Sequence, residues 1–380
     1  MYDVVIAGLG GMGSSVAAHC ASRGASVLGI DRFGRGHDFG SSSGKSRIIR
    51  QAYFENSAYV PLLLRAYELW RELDRSSPQR ILEITGLLLA GYEGGRVIDG
   101  SRRAARDFNL SVDYLDAKDI VKRYPTLSML PDEVGIFERE GGVVFPEAAI
   151  EAHLCKAQAH GARFAFGLAL QSWDANRAGV TTVLSDGSRI ESQSLVLTLG
   201  PWLATTLESL GVAMRIQRNV QVWFEPANAT YAAGSFPAFF LERRELPRPL
   251  YGFPDFGDGV KAAFHGKGEF TQPDSLRREI DAAVDVKPLA GALERWMPGS
   301  TGPVKYAKAC MYSLTPDEDF VVDLHPAHNN VVICGGFSGH GFKFASVIGE
   351  IAADLALSRS IPHDIAFLST CRFSSVAKES

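Results

Sequence analysis

"YDVVIAGLGGMGSSVAAHCASRGASVLGID", residues 2–31, decides the fold. The apolar run Val4–Ala7 enters a turn carrying Gly8, Gly10 and Gly13. A helix is predicted from about Met12 and ends at Gly24, and Val27–Ile30 then delivers Asp31. In this strand–helix–strand context the first glycine makes the tight turn. The second lets backbone N–H groups approach a pyrophosphate at the positive end of the helix, and the third lets helix and strand pack closely. Gly11 and Met12 lie in the same turn, and Asp31 stands where it can accept hydrogen bonds from a ribose diol. The unit therefore predicts a bound dinucleotide, without separating NAD from FAD.

The continuation differs from a plain nucleotide fold. Asp31 is followed by "RFGRGHDFGSSSGKSRIIRQAY", residues 32–53, a long Gly/Ser-rich segment ending in two arginines. A loop of this length can run beneath a cofactor's phosphates and reach its reactive ring. Further on, "NSAYVPLLLRAYELWRELDRSS" (56–77) places Leu62, Leu63, Tyr67, Trp70 and Leu73 at helical spacing. "VVFPEAAIEAHLCKAQAHGARFAF" (143–166) reads as a helix with Pro146 in its first turn and Gly161 past its end, then a strand. "SLVLTLG" is an apolar strand running into Gly200 and Pro201, and "NNVVICGGFSGHGFKFASVIGEIAADLAL" (329–357) repeats the plan of strand, Gly-rich turn and helix.

Nucleotide-fold elements thus occur at both ends and in the middle, with aromatic-rich mixed segments between them. At 380 residues the chain exceeds the usual span of one core. The expected architecture is α/β: a Rossmann-like domain from 1–84, 145–217 and 310–380, interleaved with a mixed-sheet substrate domain from 85–144 and 218–309. A net charge of −4 with interspersed signs supplies no basic stripe for nucleic acid and no polybasic arm for membranes. Five scattered cysteines without CxxC spacing fit a reducing interior. No secretory leader precedes the first strand, and Gly and Pro break the apolar runs short of membrane-spanning length. A soluble, cytoplasmic protein without a metal centre is expected.

Five blocks, "GKSRIIRQAY", "YVPLLLRAYELW", "LYGFPDFGDGVKAAFH", "ACMYSLTPDEDFVVDLHP" and "GFSGHGFKFASVIGEIAADLA", carry a more specific signal than the glycine turn. In order and spacing the chain resembles the monomeric sarcosine oxidase family of flavoproteins, which includes N-methyltryptophan and pipecolate oxidases, within the D-amino-acid-oxidase-like fold. The resemblance covers nearly the whole length and implies a monomer. It implies FAD attached covalently through Cys310, whereas composition alone makes an isolated thiol in an apolar run a core filler. Lys305 and Lys308 are the nearby cations in sequence that could favour its thiolate.

The resemblance also implies roles for other residues. Lys261 matches a lysine that serves oxygen activation, although a lysine between apolar strand residues also reads as one that snorkels to solvent. His265 matches an active-site histidine, and a structural histidine is the equal alternative. Arg50 and Lys343 match a pair that clamps the substrate carboxylate, and Arg47 matches an arginine close to the flavin. Tyr251 and Tyr312 match pocket tyrosines, with ordinary core as the other reading. Gly339, His340, Gly341 and Lys343 form the turn beside the flavin, with Gly339 also at the substrate. Arg32, Ser42, Lys45, Ser46 and Gly200 complete the implied cofactor contacts.

Departures are informative. The sarcosine and N-methyltryptophan oxidases carry Ser-His-His-Gly-Asp-Thr where this chain has "SSSGKS", Ser41–Ser46, which stands nearer the pipecolate oxidase pattern. Arg243, Arg244 and Arg248 fall near the expected pocket mouth and mark either a larger or acidic substrate or a solvated loop. The implied activity is FAD-dependent oxidation of a secondary amino acid such as sarcosine, N-methyltryptophan or pipecolate to an imine, with O2 reduced to hydrogen peroxide. The competing readings are a flavin amine dehydrogenase, an imine oxidase of biosynthesis acting on a related ring, and a flavin-binding protein without turnover.

Overall fold

Val4, Val5, Ile6 and Ala7 are all buried to within 1% exposure, which an alternating strand with one wet face does not allow. The reason is visible in the computed structural model, which describes residues 1–266 and 268–373. The strand Tyr2–Ala7 is central in a parallel layer. Its neighbours are Val27–Asp31 on one side and Arg189–Leu197 on the other, with Arg163–Phe166 and His328–Gly335 outside them. Val4 and Ile6 pack beneath the helices Gly11–Ser22, Val60–Ser76 and Ala345–Ala356, while Val5 and Ala7 join the core on the opposite face with Leu197, Ile333 and Met311. The hairpin Leu170–Asn176/Gly179–Leu184 and the strand Val321–His325 extend this sheet antiparallel.

The predicted helix after the glycine turn spans Gly11–Ser22. A Cβ on Gly13 would sit 1.8 Å from the Gly8 carbonyl oxygen, so the third glycine is what lets helix and strand meet. Helix Val60–Ser76 buries Leu62, Leu63, Tyr67, Trp70 and Leu73 as its spacing predicts, and Pro146 opens the helix Pro146–Ala159. Trp70 Nε1 donates to the Lys343 carbonyl at 2.7 Å, tying the amphipathic helix to the C-terminal Gly-rich turn.

A second, nine-stranded sheet is mostly antiparallel and is built from residues between Leu87 and Leu314. Its long strand Arg215–Phe224 pairs along its length with Val304–Leu314 and at one end with Val260–Phe264. The expected domain cuts at 217/218 and 309/310 need correction, because they fall inside these two strands. Their ladder runs from Arg215 opposite Leu314 through Asn219 opposite Cys310 to Phe224 opposite Val304, so both strands belong whole to the second sheet. A small three-stranded sheet of Arg47–Ile49, Leu82–Glu83 and Gly142–Val144 joins segments expected in different domains. Residues 374–380 of the expected last segment lie outside the described residues. Among the described residues, no helix is long and apolar enough to cross a membrane.

Candidate active site

The parallel strands end in register, with Ala7 opposite both Ile30 and Leu197 and Leu197 opposite Ile333, and beyond their carboxyl ends lies a cavity of about 430 Å3. Gly8, Gly10, Gly11 and Met12 are in its wall. The Gly11 N–H donates to Ser42 Oγ at 3.0 Å, which brings the long Gly/Ser segment onto the start of the helix. Asp31 Oδ2 accepts from Leu9 N–H at 2.8 Å and Oδ1 from Phe33 N–H at 2.9 Å, with His37 Nε2 at 3.4 Å from Oδ1. Burial pushes this carboxyl up, but the His37 contact and the two N–H groups outweigh it and hold Asp31 below the ordinary carboxylate range. Arg32 lies in the wall and is paired with Asp274 at 3.0 Å, and Gly200 enters the wall with φ of 56° at the start of a 3-10 turn.

Two observations test whether this wall suits a nucleotide. A Cβ on Gly8 would meet the Thr198 carbonyl oxygen at 2.4 Å and one on Gly10 would meet Ser42 Oγ at 3.2 Å, so the turn that lines the cavity packs too tightly on its neighbours to carry side chains there. Ser41 Oγ and Gln221 Oε1 are buried in the wall and have no hydrogen-bond partner among the described residues. Orphaned buried polar atoms need a polar ligand or water, and together with Asp31 and the helix start they fit a dinucleotide cofactor such as FAD.

The same wall collects residues distant in sequence. Arg47 donates to the carbonyls of Ser41 at 3.1 Å, Ser43 at 2.5 Å and Ser46 at 2.9 Å, so one guanidinium gathers the loop beneath the cavity. Cys310 is in the wall, 3% exposed, with Gln221 Nε2 donating to its sulfur at 3.7 Å. Burial pushes the thiol up, against the pull of Arg47, Lys261 and Lys308. Of the two lysines near in sequence, Lys308 pulls the thiol down although it is paired with Asp38 at 2.9 Å, Lys305 donates to the Gly257 carbonyl at 3.2 Å, and burial outweighs the cations.

Arg50 is 3% exposed, with its guanidinium near the rings of Tyr53 and Phe54 at 4.3 and 4.1 Å. It donates to the Ala52 carbonyl at 3.0 Å and to both carboxylate oxygens of Glu55. Burial pushes the Glu55 carboxyl up, but Arg50, His340 and Lys343 overcome this and hold it down at about 2. Lys343 donates to the His340 carbonyl at 2.7 Å, and burial first, then the Arg50 charge, brings it down to about 7. His265 Nδ1 stands 3.4 Å from Tyr312 Oη, and burial lowers the ring to about 4, so it is neutral. Tyr251 and Tyr312 are buried wall residues with their hydroxyls pushed up by burial, and Phe240 lies near both Tyr251 and His265. His340 is in the wall with both ring nitrogens used, by the Tyr53 hydroxyl and the Glu318 carbonyl. A Cβ on Gly339 would lie 2.2 Å from the Tyr312 ring, and Gly341 lines the same turn.

Several expected residues are elsewhere. Lys45, in a left-handed conformation at φ of 64°, turns its ammonium outward to Asp258 at 3.0 Å, so the charge in "SSSGKS" does not face the cavity. Ser46 and Lys261 are outside the wall. Lys261 is 1% exposed and donates to the carbonyls of Gly44 and Ser46 at 2.6 and 2.7 Å and to Ser46 Oγ at 3.2 Å. It therefore does not snorkel, and it meets the cavity only across the 44–46 loop. Gly13 packs rather than contacts. Arg243 forms a buried fork with Glu133, Arg244 pairs with Asp132 at 3.0 Å and Arg248 is exposed, so this segment neither lines the cavity nor is wholly solvated. Glu55, Gln221 and Phe240 were not singled out in the sequence. Glu55 follows Arg50 by five residues, and that acid was the one available signal.

The geometry can be set beside known proteins. A model of the family described as "FAD dependent oxidoreductase" (DAO) matches residues 3–355. The chain is 41% identical over 370 residues to a monomeric sarcosine oxidase of Streptomyces avermitilis, covering 96% of each chain. It is 31% identical to an N-methyl-L-tryptophan oxidase of Yersinia pestis over 98% of this chain and 99% of the relative. Among solved structures, NikD, an amino acid oxidase essential for nikkomycin biosynthesis, superposes with a TM-score of 0.84 at 25% identity, covering 97% of both chains. With the glycine turn and a buried Arg50/Lys343 pair in the wall of one cavity, this chain belongs to the DAO family of FAD-dependent oxidoreductases.

Proposed function

We propose that the protein is a monomeric oxidase of secondary amino acids, N-methyl or cyclic, that forms an imine and passes the electrons to O2 as hydrogen peroxide. The observation that carries this reading is that Arg50 and Lys343, both buried, line the same cavity as the glycine turn Gly8, Gly10 and Gly11. The names of the sarcosine and N-methyltryptophan oxidases support it further. When bound, FAD supplies the two-electron acceptor that side chains lack. Gly8, Gly10, Gly11, Asp31 and Ser42 would hold its nucleotide part, and Arg47, Cys310 and the Gly339–Lys343 turn its flavin part, with Cys310 as the covalent anchor. The first and second sheets then serve as cofactor and substrate domains.

The chain's own groups divide the remaining work. Arg50 and Lys343 bind the substrate carboxylate and so orient the other end of the molecule, a positioning effect that converts binding energy into a reactive geometry. Arg50 is pre-aligned by Glu55 and the Ala52 carbonyl, so little side-chain freedom is lost on binding. Neutral His265 and the Tyr312 hydroxyl offer hydrogen-bond partners for the amine without adding a repelling charge. Phe240 and Tyr251 exclude water from the reacting carbon. Lys261 serves oxygen reduction from behind the 44–46 loop, where burial and Arg47 hold its ammonium well below the ordinary lysine range and the Gly44 and Ser46 carbonyls accept from it.

An anaerobic panel of sarcosine, N-methyltryptophan, pipecolate, proline and primary amino acids, read by bleaching of the flavin absorbance, tests the proposal. Secondary amino acids should bleach it and their decarboxylated amines should not. Bleaching by the amines as readily as by the acids would overturn the carboxylate reading. Bleaching without peroxide on admission of air would overturn the oxidase reading in favour of a dehydrogenase.

A further inference from the structure

Glu138 ends the strand Glu133–Glu138 and is 1% exposed, yet among the described residues no ion pair holds it. Its two oxygens accept from consecutive backbone amides, Oε1 from Gln51 N–H and Oε2 from Ala52 N–H at 3.0 Å. Those residues directly follow Arg50, and the Arg50 guanidinium donates back to the Ala52 carbonyl at 3.0 Å. The turn is therefore held from two sides, by the carboxylate on its amides and by the guanidinium on its carbonyl, with Ser101 Oγ adding a contact to that carbonyl at 3.3 Å. We propose that Glu138 is a positioning residue that fixes the Arg50 guanidinium for the substrate carboxylate through the Gln51–Ala52 turn. This inference rests on the reading of Arg50 as a carboxylate ligand.

A buried carboxylate is a poor choice for stability alone. Burial pushes Glu138 up to about 7 even though the Ala52 and Gln51 amides and the Arg50 charge pull it down. A neutral acceptor could serve one amide at less desolvation cost. Only a carboxylate presents two oxygens to two adjacent N–H groups, because an amide side chain has one oxygen and would turn its NH2 toward the second donor. What the second bond secures is the orientation of the peptide whose carbonyl Arg50 grips. When a substrate carboxylate takes part of the fork that Glu55 holds, the Ala52 carbonyl remains as the fixed reference, and Glu138 holds that peptide in place.

The test uses the flavin-loaded enzyme carrying Glu138→Gln, with an amino acid that bleaches the flavin and the N-methylamide of the same compound, which has no carboxylate. For the acid, KM and the Kd of acetate, read by flavin absorbance, should both rise about tenfold while kcat stays within about twofold. The amide's KM should not move. Glu138→Asp, which keeps both oxygens, should recover part of the loss, and it carries the comparison with wild type if the Gln variant does not accumulate. An unchanged acid KM in a folded variant, or an equal rise for acid and amide, overturns the inference. Arg50→Lys separates the two levels. If it weakens acetate binding and Glu138→Gln does not, only the positioning role falls. If it leaves acetate binding unchanged, the reading of Arg50 itself fails.

Discussion

Lys343 gives the sharpest prediction because its charge is set close to neutrality. Burial and the neighbouring Arg50 bring its ammonium from the ordinary 10.5 down to about 7. Only the protonated form can pair with a carboxylate, so the Kd of a non-reducible carboxylate such as acetate should be flat below that value. Above it, Kd should weaken tenfold per pH unit, reaching roughly a hundredfold, or about 2.7 kcal/mol, two units higher. Titrating the flavin absorbance with acetate from acid to alkaline pH measures this directly, and Lys343→Met should bind acetate more weakly and lose the slope. A flat profile in the wild type, or the same slope in Lys343→Met, refutes the argument. Stability should move the opposite way. Because the folded ammonium is depressed, the unfolded chain holds more protons between about 7 and 10.5, so stability rises with pH through that window. Lys343→Met removes a penalty whose ceiling is on the order of 5 kcal/mol below pH 7, and its melting temperature should exceed that of the wild type there.

The remaining predictions follow from single contacts. Cys310→Ser should leave the protein folded, since among the described residues the thiol's polar contact is a 3.7 Å donation from Gln221, but its flavin should be released by acid while the wild-type flavin stays on the peptide. Release from both proteins would return Cys310 to the core. Lys261→Met should slow reoxidation by O2 with anaerobic reduction by substrate retained; an unaltered oxygen rate with lowered thermal stability would leave Lys261 as an anchor of the 44–46 loop. Gly13→Ala puts a methyl group 1.8 Å from the Gly8 carbonyl oxygen and should prevent flavin loading, measured as the ratio of flavin to protein absorbance.

The sequence by itself determined what depends on local pattern. The run Val4–Ala7, the three glycines and Asp31 fix a strand–turn–helix–strand unit, because each requires only neighbours a few residues away. The amphipathic helix through Trp70 and the capped helix from Pro146 were legible for the same reason. Blocks matched to a family supplied Cys310, Arg50 and Lys343 as cavity residues, and for Cys310 nothing in its own neighbourhood would have singled it out. Only the tertiary structure decided which way side chains point and what compensates them. Lys45 and Lys261 both adjoin the Gly/Ser segment, yet a left-handed backbone sends Lys45 out to Asp258, while a strand register opposite Trp223 buries Lys261 beneath the loop. Whether Cys310 is acidified by its neighbours depends on burial against distance, and burial wins. Arg50 is held at two separations, by Glu55 five residues away and, through the Gln51–Ala52 turn, by Glu138 86 residues beyond Ala52, and the second has no local signature. Charge compensation in a low-dielectric interior acts through space, so it is settled by the packing of the sheets and not by the order of residues along the chain.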